Sequence, residues 1–197
     1  MNPVDAGGDF RHLSTIAGID VDLRYAGPDN FLGRDLYAPY DCAWLHMDAA
    51  AALERVVAWL AQHHPGLRVL VLDALRPQRV QQALWDALAG TGLQLYLADP
   101  ARGSIHSYGM ALDVTLLDAA GRELDMGTGF DDMTELSHPA LEEGFLQRGD
   151  LTATQVANRR LLRAGMLQAG FVGIHTEWWH FDCGDRNRVR ATFQRVP

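Results

Sequence analysis

The sequence predicts an α+β fold, with helices flanking a sheet in a single domain. Three observations carry this. The chain has 197 residues, 48% of them hydrophobic and 21% charged, which suits one domain with a sizeable core. Helix-period and strand-period segments both occur, without the strict βαβ alternation of a doubly wound sheet. No internal repeat, low-complexity tract or linker separates them.

Each element has a local reason. In "MDAAAALERVVAWLAQHHPG", Leu53, Val56, Val57 and Leu60 recur at i, i+3, i+4 and i+7, and Asp48 is the expected N-cap. "LRVLVLD" (67–73) is a nearly continuous apolar run, as in a central strand. In "RPQRVQQALWDALAGTG", Pro77 suits the first helical position, Val80, Leu84, Ala87 and Leu88 share a face, and Gly90 is the stop. "ALDVTLL" (111–117) alternates. Ala111, Asp113 and Thr115 face one way, toward a site, and Leu112, Val114 and Leu116 face the other, toward a core. In "LTATQVANRRLLRAGMLQAGF", Thr152 and Gln155 have capping-box spacing, Leu162, Met166 and Ala169 share a face, and Gly170 ends the helix. "TEWWHFDC" (176–183) is aromatic-rich and predicts a strand with a buried face. The tail "GDRNRVRATFQRVP" breaks its arginines with acids and apolar residues and reads as a solvated end.

Composition excludes several function classes. The net charge is −8 and the pI about 5.4, with no basic cluster, which argues against nucleic acid and anionic membranes as partners. No apolar run approaches membrane-spanning length, and the N-terminal stretch lacks the pattern of a secretory signal, so a cytoplasmic location is expected. Two cysteines, Cys42 and Cys183, are too few for a disulfide framework and are expected to be buried thiols.

The chemistry concentrates in two stretches. In "GSIHSYGMALDVTL" (103–116), Gly109 marks a turn that can fold His106 back over the strand carrying Asp113. In "HTEWWHFD" (175–182), Glu177 and His180 sit among large apolar groups, where a carboxylate needs a partner or a raised pKa. Two histidines and a carboxylate are a known catalytic zinc set that leaves a fourth position for water. His106, Asp113 and His180 can bind such an ion, and Glu177 can stand beside it as a base. Glu-x-x-His also builds di-iron sites, and Glu135 with His138 supplies a second copy. Pro139 directly follows His138, and no long helix surrounds either copy, so that assignment is disfavoured. Ser104 and Ser107 lack the G-x-S-x-G setting of a serine nucleophile. In "VLDALRPQRV", Arg76 at a helix start either pairs with Asp73 or offers a fixed guanidinium to an oxyanion. His63 and His64 end a helix, and His12, His46 and His175 read as packing or surface residues.

Together these stretches resemble a known family. "SIHSYGMALD" is similar to the S-x-H-x-x-G-x-A-x-D signature of the zinc D-Ala-D-Ala peptidases, and "EWWHF" to their E-x-W-H element. The VanX-type D-alanyl-D-alanine dipeptidases are the branch it resembles most. Further similar stretches are "RYAGPDNFLGRDLY", "LDALRP", "DMGTGFDDM" followed by "LSH", and "NRRLLRAGMLQAGF", so the resemblance runs from about Tyr25 to Phe181. It implies a central antiparallel sheet and one Zn²⁺ held by His106, Asp113 and His180, with Glu177 as general base. It also implies that Arg76 stabilises the transition state and that Tyr25 and Asp131 hold the amine of a small dipeptide. Ser104 matches a pocket position. Two departures stand out: the segment between "LRPQR" and "SIHS" is short for this branch, and Ile105 replaces a polar residue. The expected activity is hydrolysis of D-alanyl-D-alanine by one zinc peptidase domain over 1–197, with its catalytic core at about 25–183. A D,D-carboxypeptidase acting on longer peptides and a zinc-stabilised binding domain without hydrolysis are the alternatives, and a homo-oligomer is left open.

Overall fold

The computed structural model describes residues 8–197. The α+β expectation is met by a five-stranded sheet and a two-stranded one, with five α-helices among the described residues. The strands are β1 (Phe10–His12), β2 (Ile19–Val21), β3 (Trp44–His46), β4 (Arg68–Asp73), β5 (Ala111–Leu117), β6 (Phe171–Gly173) and β7 (His180–Cys183). The helices are α1 (Met47–His63), α2 (Gln78–Ala87), α3 (Glu142–Arg148), α4 (Ala153–Gln168) and α5 (Arg186–Thr192). The main sheet has the order β2-β4-β5-β7-β6, and β1 pairs with β3 apart from it. The sheet is mixed rather than wholly antiparallel: β2 runs parallel to β4, whereas β4–β5, β5–β7 and β6–β7 are antiparallel. The long stretch from β2 to β4, which contains α1, supplies the crossover that a parallel pair requires.

The alternation read in 111–117 sorts the two faces of the sheet. Leu112, Val114 and Leu116 join Val69 and Val71 of β4 and Phe181 of β7 in the main core, beneath Leu53, Val56 and Leu60 of α1 and Leu162 and Met166 of α4. Each such side chain contributes roughly 1.5–3 kcal/mol by leaving water. Leu70, Leu72 and Leu117 lie in a separate cluster with Phe130. Asp113 belongs to the face away from the main core, the face on which the site is built.

Several local expectations are refined. The capping box of Thr152 and Gln155 is present at the start of α4, and Gly170 follows its end at φ +92°. In α1 the N-cap is His46, whose Nδ1 accepts from the Asp48 amide, so Asp48 lies in the first turn instead. Pro77 is the N-cap of α2 and not its first residue, and Ala87 is exposed, because the helix ends there and turns away. The strand expected over 176–183 begins only at His180, and 176–179 is irregular, with bends on either side of Glu177. The tail is not a solvated end. It forms α5, and the Val196 amide donates to Ser107 O while Val196 O accepts from the Gln78 amide. Cys42 and Cys183 are free and buried as expected, and burial pushes their thiols up to about 12 and about 11.

Candidate active site

Strand register assembles the centre. Asp73 of β4 is opposite Asp113 of β5, and Asp113 is opposite His180 of β7, so three polar side chains line up across three strands. A register shift between Val71 and Asp73 marks the end of regular pairing in β4, beside the site. His106 comes from a 3-10 turn, Ile105–Tyr108, closed by Gly109 at φ +64°. A Cβ at Gly109 would lie 2.7 Å from Phe10 Cε1 and 2.8 Å from the His46 amide nitrogen, so only glycine fits. The His46 amide donates to Gly109 O and the Arg76 amide to His106 O, which fasten the turn to its neighbours.

Three ligand-type atoms converge. His180 Nδ1 lies 3.0 Å from Asp113 Oδ1 and 3.1 Å from His106 Nε2, and His106 Nε2 lies 3.4 Å from Asp113 Oδ1. Ligand atoms about 2.0–2.1 Å from a tetrahedral zinc would be separated by about 3.3 Å, so the triangle has the right edge length. The other ring nitrogens fix the tautomers. His106 Nδ1 donates to Ala74 O at 2.8 Å, and His180 Nε2 faces Asp182 Oδ1 at 3.0 Å, so each ring can turn a lone pair toward the focus. Arg186 Nε in turn holds Asp182. Burial works against charge on both Asp113 and His180. The two imidazoles outweigh it and hold Asp113 well below the usual carboxylate range, while Asp182 and Asp113 hold His180 raised. Among the described residues, only His106, Asp113 and His180 form such a cluster, and Glu135 with His138 adds no second one.

The remaining predicted residues surround this focus in one cavity of about 290 Å³. Glu177 lines it, and desolvation pushes its carboxyl up to about 7. Arg76 pairs with Asp73 and also lines the cavity. It is 6% exposed, its Nε donates to Asp73 Oδ2 at 2.8 Å, and its Nη2 lies 2.7 Å from that oxygen and donates to Asp113 Oδ2 at 3.2 Å. Nη1 donates to Gln81, so three of the guanidinium's five N–H donors are hydrogen-bonded and two are left over. Asp73 is held further by the Tyr37 hydroxyl. Tyr25 lies under the Arg76 guanidinium, 5.0 Å from ring centre to carbon, and its hydroxyl donates to Asp131 Oδ1 at 3.0 Å. Asp131 adopts φ +60°, and its Oδ2 is shielded from solvent without a partner. Desolvation raises the Asp131 pKa well above the usual carboxylate range, against the Tyr25 hydrogen bond and Arg76. Ser104 is buried in the cavity wall.

Sequence reasoning missed several participants. Asp182, two residues beyond His180 on β7, shares its side of the strand, and that period of two was a usable signal. Arg159 had none. It is buried in α4 and donates to Met126 O, Leu136 O and Thr128 Oγ1. Thr128 Oγ1 also accepts from Trp178 Nε1 at 2.8 Å. Arg159 thus ties the 126–136 loop, which bears Asp131, to α4, and Trp178 ties the same loop to the segment that bears Glu177. Across the cleft, Tyr96 OH meets His138 Nε2 at 3.0 Å.

The chain is similar to known proteins. A family model described as D-ala-D-ala dipeptidase, Peptidase_M15, matches residues 6–197. A D-alanyl-D-alanine dipeptidase of Escherichia coli (strain K12) is 41% identical over 164 residues, covering 83% of this chain and 78% of the relative. A protein of the same name from Enterococcus faecium is 30% identical over 204 residues, covering 93% and 96%. In fold, the chain is similar to the LdcB LD-carboxypeptidase at a TM-score of 0.50 and 13% identity, covering 96% of this chain and 74% of that one.

Proposed function

We propose, from the premise that the chain belongs to the D-ala-D-ala dipeptidase family Peptidase_M15 and is a metallopeptidase, that it hydrolyses D-alanyl-D-alanine to two D-alanines with one Zn²⁺ per chain. The observation that carries this reading is the triangle of His106 Nε2, Asp113 Oδ1 and His180 Nδ1, with edges of 3.0, 3.1 and 3.4 Å, in a cavity that also holds Glu177. Those three atoms would hold the cation. A zinc ion there supplies Lewis-acid activation of the scissile carbonyl and of a water molecule.

The protein's own groups do the rest. Glu177 takes a proton from the attacking water and passes it to the departing amine nitrogen as the peptide bond breaks. A carboxyl pushed up to about 7 by desolvation is poised to do both near neutral pH. Arg76 gives a spare N–H to the oxyanion, and the carboxylates of Asp73 and Asp113 keep it in place. Asp131, steadied by Tyr25, offers its unpartnered Oδ2 to the substrate ammonium. Ser104 completes the pocket wall. The peptidase domain spans 1–197, with the site residues drawn from 25–183. No helix among the described residues is long and apolar enough to cross a membrane. A cytoplasmic setting goes with this reading, because it would keep both thiols reduced.

The test is turnover of D-alanyl-D-alanine by purified protein, before and after chelation, with metal content measured on the same sample. Hydrolysis that tracks stoichiometric zinc is expected. Full turnover after the metal is stripped would sink the reading. Turnover of a longer peptide ending in D-Ala-D-Ala, but not of the free dipeptide, would transfer it to a D,D-carboxypeptidase.

A further inference from the structure

The cleft has a second charged end that the mechanism leaves unused. Arg102, Arg186 and Arg190 line the same cavity as His106, Asp113 and His180, and also line the hollow that adjoins it. They arrive from two places. Arg102 is in the loop before the 3-10 turn of His106, and the other two are one turn apart on α5. Arg190 Nε donates to Gly103 O at 3.0 Å, which fixes that helix to the loop of Arg102.

The charges do not balance locally. Asp182 neutralises Arg186, but among the described residues neither Arg102 nor Arg190 has a carboxylate within salt-bridge reach. Desolvation and the repulsion of Arg102 and Arg186 both lower the Arg190 pKa, which shows how closely the three are crowded. The opposite is true around Asp131, whose charged neighbours are Arg76, Asp113 and Glu177. The cleft is therefore bipolar, with an unpartnered carboxylate oxygen at one end and unpaired guanidinium groups at the other. A zwitterionic peptide has that polarity. Guanidinium groups match a carboxylate bidentately and bind it without being deprotonated.

We propose that Arg102 and Arg190, with Arg186 beside them, bind the C-terminal carboxylate of the substrate and so select peptides whose scissile bond lies next to a free C-terminus. The proposal rests on the peptidase reading above, and it places the leaving residue on the α5 side of the focus. It also explains why the tail is docked.

The test is calorimetric binding to zinc-loaded Glu177→Gln protein, whose turnover is slowed enough for binding to be read. The ligands are D-alanyl-D-alanine and its C-terminal amide. The acid is expected to bind about 10- to 100-fold more tightly than the amide. The Arg102→Gln/Arg190→Gln double variant is expected to abolish most of that preference by weakening the acid alone. Arg190 also holds the Gly103 loop, so Arg102→Gln by itself is the control: it removes no hydrogen bond within the fold of the described residues and should erase part of the preference. Equal binding of acid and amide, equal weakening of both by the arginine changes, or no binding of either overturns the subsite. Loss of the hydrolytic reading is distinct: wild-type zinc protein that binds the acid selectively but does not cleave it keeps the subsite and loses the peptidase.

Discussion

The two ends of the cleft are held by different physics. His106, Asp113 and His180 sit on or beside central strands, and antiparallel register sets Asp113 opposite both Asp73 and His180. Asp131 and Glu177 lie in irregular segments instead, and Tyr25 in a single 3-10 turn, Arg24–Ala26. Their positions depend on side chains reaching across the structure: Arg159 to Met126 and Leu136, Trp178 to Thr128, Tyr96 to His138. A sheet tolerates the loss of one contact because the ladder persists. A loop held by a few side-chain hydrogen bonds has less reserve. The sheet end suits a group that must hold an ion at fixed distances, and the loop end suits one that admits and releases a substrate.

Substitutions ordered by expected effect test that contrast. His180→Ala should be the most severe: one corner of the triangle goes, zinc content falls toward zero, and hydrolysis goes with it. Stoichiometric zinc by elemental analysis in that variant would remove His180 from the ligand set. Glu177→Gln should keep zinc and lower kcat by about 10²- to 10⁴-fold, the range for a lost general acid–base. A kcat within threefold of the unaltered enzyme would show that another group moves the proton.

Arg159→Met addresses the loop end. It leaves Met126 O and Leu136 O without their donor, and a loss of about 2–4 kcal/mol in denaturant unfolding is expected. KM should rise more than zinc content falls, because the strands that bear Asp113 and His180 remain paired. An equal collapse of zinc binding would erase the distinction between the two ends.

Glu177 also predicts a pH effect in metal-free protein. Its folded pKa of about 7 lies above the unfolded value, so below about pH 4.5 the carboxyl is neutral in both states and costs nothing. As pH rises from about 4.5 to 7 the unfolded chain releases this proton while the folded one keeps it, so stability falls, and above 7 the loss is complete. Metal-free Glu177→Gln should therefore gain stability relative to the parent between pH 5 and 8, by up to about 3 kcal/mol. A difference that does not change with pH, measured in urea, would put the carboxyl in contact with water. The smallest effect is expected for Tyr96→Phe, which loses one hydrogen bond to His138 and about 1 kcal/mol or less. A larger loss would make that contact a main support of the loop end.

How far the sequence could be read follows the same division. The strand over 111–117 has the predicted bounds, because a strict period of two has a single solution once one face is buried. The capping box of α4 was legible because it is a bond between residues three apart. Asp48 was misplaced as a cap because His46 competes for the same turn through its ring nitrogen. α5 was missed because a segment of seven residues shows too little periodicity, and its docking depends on Gly103, which is far away in the chain, as Val196 beyond it depends on Ser107 and Gln78.

The residue types alone determined the α+β class, the faces of β5 and the identity of the three side chains able to share an ion, since periodicity and donor chemistry are local properties. The tertiary structure decided which oxygen of Asp113 faces the imidazoles and which faces Arg76, that Asp182 backs His180, and that two arginines of an apparently solvated tail line the cleft. Those outcomes depend on strand register and on contacts between residues dozens of positions apart, and no window along the chain contains them.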